Sequence, residues 1–124
     1  KECGWRVGII SASRNTTTVL NAAGIRDLFE VQIDGLVAAD LGLPGKPDPA
    51  VFLTAAQRLA TPPARAVVIE DAIAGVQAGR GGGFGLVIGV DRGGNAEALA
   101  AAGAHAVVKD LAEVRLVRAG SPCA

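Results

Sequence analysis

One short stretch restricts the fold of this sequence more than any other: an apolar run that ends in two adjacent carboxylates. Residues 67–69 are β-branched, as in a strand that is fully buried, and Glu70 and Asp71 follow them directly. From Ile73 the apolar residues recur at helical spacing. A strand that ends in an acidic pair and leads into a helix places both acids at the carboxyl edge of a sheet, where open α/β sheets bind their ligands.

The acidic pair has two interpretations. Adjacent carboxylates supply the hard oxygen ligands that Mg²⁺ prefers, together with water and substrate phosphate. Alternatively, Glu70 and Asp71 cap the helix that follows and interact favourably with its positive end. The stretch alone does not separate these two roles, so other parts of the chain have to decide between them.

Segments with strand character alternate with segments of helical periodicity along the chain, which predicts an α/β fold with a parallel sheet. Asp34 and Gly35 are predicted to form a turn, and residues 36–45 a loop. Asp48 as N-cap and Pro49 as first helical residue are a helix-start signal. We predict strands over 6–10, 28–33, 67–69, 86–90 and 106–108, and helices over 16–23, 49–59 and 96–102 and from 73 onwards.

The length of 124 residues predicts one small domain, over 1–118, followed by a frayed tail over 119–124. Twelve basic and twelve acidic side chains cancel, which argues against nucleic acid or an anionic membrane as a partner. No apolar run approaches the roughly 20 residues of a membrane span. Cys3 and Cys123 lie near opposite ends without a metal-binding spacing, so a reduced, cytoplasmic setting is expected.

Two further polar segments follow or lie beside predicted strands. Residues 11–15 form a small turn rich in hydrogen-bond donors, and Lys46 lies between prolines that stiffen its loop. A hydroxyl, a fixed cation and an acidic pair are the groups that phosphate chemistry needs. Each also has a simpler interpretation: Ser11 as an ordinary turn residue, Lys46 as a solvated loop cation and the acids as helix caps.

Three segments resemble motifs of the haloacid dehalogenase-like (HAD) phosphohydrolase superfamily, and the resemblance covers nearly the whole chain. Residues 9–13 resemble the second motif, residues 45–49 the third and residues 69–75 the fourth. The resemblance implies a Rossmann-like three-layer sandwich with a parallel sheet.

The same resemblance implies roles for particular residues. Ser11 and Ala12 would bind the transferring phosphate, and Lys46 would neutralise its charge as the catalytic lysine. Glu70 and Asp71 would hold Mg²⁺. These roles favour the metal-ligand interpretation of the acidic pair over the capping one.

Within the superfamily the chain resembles the β-phosphoglucomutase-like branch. Ser13, Arg14 and Asn15 match a run that grips the distal, non-transferring phosphate of a sugar bisphosphate in that branch. The resemblance therefore implies a phosphorylated sugar as substrate. It leaves open whether the parent enzyme is a phosphatase or a phosphomutase.

The first motif of the superfamily is missing from this sequence. That motif is Asp-x-Asp, which supplies the aspartate nucleophile, and no Asp-x-Asp occurs here. The expected fold is therefore a core that lacks the central nucleophile strand and the cap domain, and the chain alone is expected to be inactive. The resemblance also implies a slot between the strands at 6–10 and 67–69. We expect it to be closed by direct pairing of these strands, by the missing N-terminal segment, or by another chain, since unpaired buried backbone groups are costly.

A second functional interpretation belongs to a different class. The chain would then be a non-catalytic, regulatory α/β domain attached to a larger enzyme, for which the loss of the nucleophile is a natural feature. A receiver-like signalling module is disfavoured because the early strand ends in Ser-Ala-Ser and not in an acidic pair.

Overall fold

A computed structural model describes residues 6–11, 21–24, 29–114, 117–118 and 121–122. The strands are β1 Gly8–Ile10, β2 Val31–Ile33, β3 Val67–Glu70, β4 Leu86–Val90, β5 Ala106–Val108, β6 Val117–Arg118 and β7 Ser121–Pro122. The helices are α1 Gly35–Leu41, α2 Ala50–Arg58, α3 Ile73–Gly81 and α4 Ala96–Ala102, and short 3₁₀ turns span Pro63–Arg65 and Leu111–Glu113. Residues 21–23 are also helical. Across these described residues, no helix is long and apolar enough to cross a membrane.

The strands form separate parallel sheets. β1 pairs with β2, while β3, β4 and β5 form a second sheet in that order. β6 and β7 form a small antiparallel pair, so Ser121 and Pro122, which belong to the predicted frayed tail, pair with Arg118 and Val117 just before it. β1 and β3 are not hydrogen-bonded to each other. The expectation that these two strands close the slot by pairing directly is therefore wrong.

Helix packing joins the two parallel sheets. α2 contacts β1 and β2, α3 contacts β3 and β4, and the two helices contact each other. The rings of Phe52 on α2 and Phe84, which precedes β4, meet edge to face with centroids 6.0 Å apart. A single apolar cluster includes Ile33 of the first sheet and Val68 and Val87 of the second. The apolar core is therefore continuous, although no backbone hydrogen bonds between strands connect the two sheets.

β3 is buried on one face only, which corrects the prediction of a fully buried strand. The exposed fraction is 7% for Val68 but 41% for Val67 and 50% for Ile69. Alternate residues of a strand point to opposite faces, and Val68 lies on the face where Gly79 of α3 packs. No described residue buries the side chains of Val67 and Ile69 on the other face to the same extent.

Asp34 begins a helix instead of a turn, so the predicted loop over 36–45 is partly wrong. The Oδ1 atom of Asp34 accepts a hydrogen bond from the Val37 N–H at 2.9 Å, as an N-cap does. α1 ends at Gly42, whose φ of 67° lies in the left-handed region that favours glycine. α1 has no fully buried side chain, and only Val37 and Ala38 pack partly buried against the core.

Several other predicted elements agree closely with the structure, whereas residues 16–20 of the helix predicted over 16–23 lie outside the described residues. β4, α4 and β5 occupy the predicted ranges, and Gly103 ends α4 with a φ of 118°. α2 begins one residue later than expected, at Ala50 with Pro49 as N-cap. Asp48 still satisfies its first turn, because its Oδ1 accepts a hydrogen bond from the Ala50 N–H at 2.9 Å.

Candidate active site

The predicted site residues that the structure describes come from three loops. Ser11 directly follows β1, and its backbone N–H donates to the Ile33 carbonyl at 2.9 Å, which continues the β1–β2 ladder. Glu70 is the last residue of β3, and Asp71 follows it. Lys46 lies in the loop between α1 and α2. Ala12, Ser13, Arg14 and Asn15, which carry the predicted phosphate contacts, lie outside the described residues.

Lys46 and Glu70 form the central contact of this site. The Nζ atom of Lys46 lies 3.0 Å from Oε2 of Glu70, and the two side chains are only 23% and 13% exposed. The same Nζ atom lies 5.2 Å from the centroid of the Phe52 ring, a cation–π contact. Lys46 is therefore held in place by a carboxylate and an aromatic face and is not a freely solvated loop cation.

The Glu70 side chain lies across the first turn of α3. A Cβ atom at Gly75 would overlap the Cγ, Cδ and Oε2 atoms of Glu70, so only glycine leaves room for the side chain there. The other carboxylate oxygen, Oε1, accepts a hydrogen bond from the Ala72 N–H at 3.3 Å. Glu70 is thus positioned from both sides.

Asp71 is the more accessible acid of the pair. Its side chain is 52% exposed, and its Oδ2 atom lies 3.5 Å from Nε of Arg92. The Nδ2 atom of Asn95 lies 3.5 Å from the Asp71 carbonyl oxygen. These contacts connect the acidic pair to the loop after β4.

Neither acid of the pair is the N-cap residue of α3. The N-cap of α3 is Ala72, whose own side chain makes no capping hydrogen bond. Asp71 points to Arg92, and Glu70 reaches Lys46 and the N–H of the N-cap residue itself. Each carboxylate therefore contacts a cation at the sheet edge, Glu70 with Lys46 and Asp71 with Arg92.

Two other acids near this edge make structural hydrogen bonds. Asp34 is 3% exposed, and its Oδ2 atom accepts a hydrogen bond from Nε2 of Gln32 at 2.6 Å. The hydrogen bond from the Val37 N–H, followed by the one from Gln32, holds the pKa of Asp34 below its ordinary value despite burial. Asp91 accepts backbone N–H groups of its own loop, the Asn95 N–H first among them, and these lower its pKa as well. A polar residue directly after each strand was the only sequence signal for either acid.

The donor set at the site fits a Mg²⁺ ion bound by few protein ligands. Within the described ranges, no group of three or more His, Cys, Asp or Glu residues could hold a metal ion. Glu70 and Asp71 are consecutive residues that supply hard oxygen donors, with Asp71 52% exposed and Glu70 13% exposed. Mg²⁺ commonly takes one or two carboxylates and completes its shell with water and phosphate oxygens, so this pair fits as part of a shell.

Comparison with known proteins identifies the family. A sequence model described as haloacid dehalogenase-like hydrolase matches residues 1–83. The chain is 49% identical over 111 residues to an uncharacterized glycosyl hydrolase of Mycobacterium tuberculosis. The aligned region covers 90% of this chain and 8% of that protein. The chain is also 41% identical over 114 residues to a β-phosphoglucomutase of Mycobacterium bovis, over 90% of this chain and 44% of that enzyme.

A solved structure gives the same result. The HAD family hydrolase from Deinococcus radiodurans R1, crystallised with bound phosphate and sodium, superposes with a TM-score of 0.75 and 34% identity. The match covers 86% of this chain and 48% of that chain. The present chain therefore spans less than half the length of this hydrolase and of the β-phosphoglucomutase. The protein therefore belongs to the haloacid dehalogenase-like hydrolases, in the β-phosphoglucomutase-like branch.

Proposed function

We propose that this chain is part of a Mg²⁺-dependent phosphatase or phosphomutase that acts on phosphorylated sugars. The observation that carries the proposal is the contact of 3.0 Å between Lys46 and Glu70 at the carboxyl edge of the sheet. It brings a phosphate-binding cation next to a carboxylate of the acidic pair. The similarity to a β-phosphoglucomutase supports a sugar phosphate as the substrate class.

In this proposal the residues of the chain bind and orient the substrate. Lys46 offsets negative charge on the reacting phosphate, and Ser11 and Ala12 bind its oxygens. Ser13, Arg14 and Asn15 bind the distal phosphate. Glu70 and Asp71 would hold Mg²⁺, which supplies charge stabilisation to the phosphate when it is bound. Burial of the Lys46–Glu70 pair keeps water from screening these charges.

The nucleophile has to come from elsewhere, because the sequence contains no Asp-x-Asp. We propose that the isolated chain is inactive and that a segment carrying this motif fills the space between β1 and β3. The supporting observation is that β1 and β3 each pair with one strand only among the described residues. Either the N-terminal segment of the parent protein or another chain would serve.

The proposed inactivity of the isolated chain is tested by measuring the release of phosphate from β-glucose 1-phosphate. We expect no release by the 124-residue chain and release when a segment containing Asp-x-Asp is fused before Lys1. Lys46→Ala should abolish the activity of the fusion, whereas Arg58→Ala, at the exposed end of α2, should retain it. Turnover by the unfused chain that is lost in Lys46→Ala would contradict the inactivity.

Mg²⁺ binding is tested separately from activity. Isothermal titration of the chain with Mg²⁺ should show binding that Asp71→Asn weakens by about tenfold, since one of two carboxylates is lost. Asp40→Asn, an equal charge change at an exposed position of α1, is the matched control and should bind as the wild type does. Equal binding by both variants would argue against the metal role of Asp71.

A second candidate function is a non-catalytic regulatory domain of a larger enzyme. It is favoured by the match to 8% of a much longer mycobacterial glycosyl hydrolase, together with the missing nucleophile motif. Under this alternative, the Asp-x-Asp fusion stays inactive although the chain still binds Mg²⁺. The fusion experiment therefore separates the two functions.

A further inference from the structure

We propose that a cavity beside the candidate active site binds a phosphate group. The cavity has a volume of about 510 Å³ and lies at the carboxyl ends of β4 and β5. Two cations and two carboxylates are among its lining residues, which are Val90, Asp91, Arg92, Lys109, Asp110 and Leu111. The charge that a ligand meets there depends on which of these groups are already hydrogen-bonded within the protein.

The carboxylate of Asp91 is occupied by its own loop. Its Oδ1 atom accepts backbone N–H groups of Gly93, Gly94 and Asn95 at 3.3, 2.7 and 2.9 Å. These charge-assisted hydrogen bonds fix the orientation of the carboxylate within its own loop. The Oδ1 atom of Asp91 therefore binds the backbone of its own loop, and the carboxylate makes no ion pair within 4 Å with a cation among the described residues.

The acids on the β5 side are occupied in the same way. The Oδ1 atom of Asp110 accepts a hydrogen bond from the Ala112 N–H at 2.9 Å. Glu113 lies next to the cavity, and its Oε2 atom accepts the N–H groups of Lys109 and Asp110 at 2.8 and 3.0 Å. This capping arrangement fixes the backbone from which the Lys109 side chain extends.

The cations remain available to a ligand. Among the residues that the structure describes, the Lys109 ammonium makes no ion pair within 4 Å and acts on Asp91 only at longer range. Arg92 contacts Asp71 through Nε alone, at 3.5 Å, and its side chain is 73% exposed. The remaining N–H groups of the Arg92 fork and the three donors of Lys109 can therefore bind an anion.

A phosphate group matches this combination of donors. The Arg92 guanidinium offers parallel N–H groups to two phosphate oxygens, and Lys109 adds a point charge. The Asp91 N–H donates to the Val108 carbonyl at 2.8 Å, which holds the two loops at a constant separation. The cavity is larger than an inorganic phosphate ion, so it also admits a phosphate attached to a small organic group such as a sugar. Binding of a phosphorylated sugar in this cavity rests on the proposed function, whereas binding of inorganic phosphate does not.

Amide chemical shifts of the ¹⁵N-labelled 124-residue chain measure this binding during titration with inorganic phosphate. We expect saturable shifts at residues 91–95 and 109–111 and at least about tenfold weaker binding in R92Q/K109Q. Arg92 and Lys109 are exposed, so these variants are expected to fold, and Lys109→Glu provides a second test by charge reversal. Arg65→Gln, at the amino end of β3, is the matched control for the loss of a positive charge.

Lys46→Gln separates this cavity from the candidate active site. The variant should keep the shifts at residues 91–95 and 109–111, whether or not the proposed function is correct. A parallel titration with glucose 6-phosphate distinguishes the ligand sources: tighter binding than inorganic phosphate indicates a phosphorylated sugar, and equal or weaker binding indicates free phosphate. Absence of saturable shifts, unchanged binding by R92Q/K109Q, or an equal loss in Arg65→Gln would overturn the proposal.

Discussion

The Glu70 side chain occupies the space in which a Cβ atom of Gly75 would lie. Gly75→Ala therefore forces Glu70 into another rotamer and away from Lys46. We expect the free energy of unfolding to fall by about 1–3 kcal/mol, although alanine is the better helix former. Urea denaturation measures this change, and a crystal structure of the variant would show the displaced carboxylate.

Gly81→Ala is the matched control for this substitution. Gly81 is also in α3, but a Cβ atom there would meet no atom within 4 Å. Its stability should change by less than about 1 kcal/mol, in the stabilising direction. If both variants have the same stability, the overlap with Glu70 is not the cause of any effect at Gly75.

The Lys46–Glu70 pair should contribute measurably to stability because it is largely shielded from water. A double-mutant cycle with Lys46→Met and Glu70→Gln should give a coupling of about 1 kcal/mol or more, as for hydrogen bonds between charged groups. The exposed pair Arg6–Glu30, also at 3.0 Å, should give less than about 0.5 kcal/mol in the same assay. A coupling no larger than that of the exposed pair would mean that Lys46 and Glu70 do not interact strongly in solution.

Asp34 should make stability depend on pH. Its pKa in the folded chain is lowered, chiefly by the Val37 N–H, so ionised Asp34 stabilises the fold above its unfolded pKa of about 3.9. We expect Asp34→Ala to cost about 1–2 kcal/mol at pH 7, through loss of the N-cap of α1. The difference from the wild type should shrink as the pH falls below about 4 and through the lowered pKa. Urea denaturation at pH 7 and at pH 3 checks this; a difference that is constant with pH would be inconsistent with the lowered pKa.

His105 completes the hydrogen bonding of a central strand. Its Nδ1 atom accepts a hydrogen bond from the backbone N–H of Val87, a fully buried residue of β4, at 2.9 Å. His105→Ala leaves that N–H without its acceptor and should lower the free energy of unfolding by about 1–3 kcal/mol. His105→Asn places an amide oxygen near the same position and should recover part of the loss. Thermal or urea denaturation of both variants measures the difference, and equal losses would argue against the hydrogen bond as the cause.

Neighbouring residues of β3 provide a test of the open sheet face. Val68 packs against α3, so Val68→Ala should cost about 2–3 kcal/mol, whereas Ile69→Ala on the exposed face should cost less than about 1 kcal/mol in the isolated chain. Urea denaturation of both variants measures the two losses. If a segment covers this face in the Asp-x-Asp fusion, the cost of Ile69→Ala should rise there. Similar costs for the two substitutions in the isolated chain would show that both faces are covered.

The five strands of the parallel sheets and most helices were predictable because their signals are local. The run from Val67 to Asp71 indicates a strand that ends at an acidic pair, and Gly103 indicates the end of α4. The helix over 35–41 was missed because its apolar periodicity is weak, and it buries no side chain completely. Exposure of alternate residues in β3 was missed because a run of β-branched residues does not show how many faces are covered.

The amino-acid sequence by itself determined the fold class and the family, since motif identity and spacing are properties of the chain, and it supplied the hypothesis of which residues bind phosphate and Mg²⁺. Only the tertiary structure decided how those residues are used. The contact between Lys46 and Glu70 joins residues 24 positions apart, and that between Asp71 and Arg92 joins two different loops. The division of Glu70 and Asp71 into a buried and an accessible acid depends on packing of α3 at Gly75. Packing of this kind depends on distances between distant segments, which no local pattern specifies.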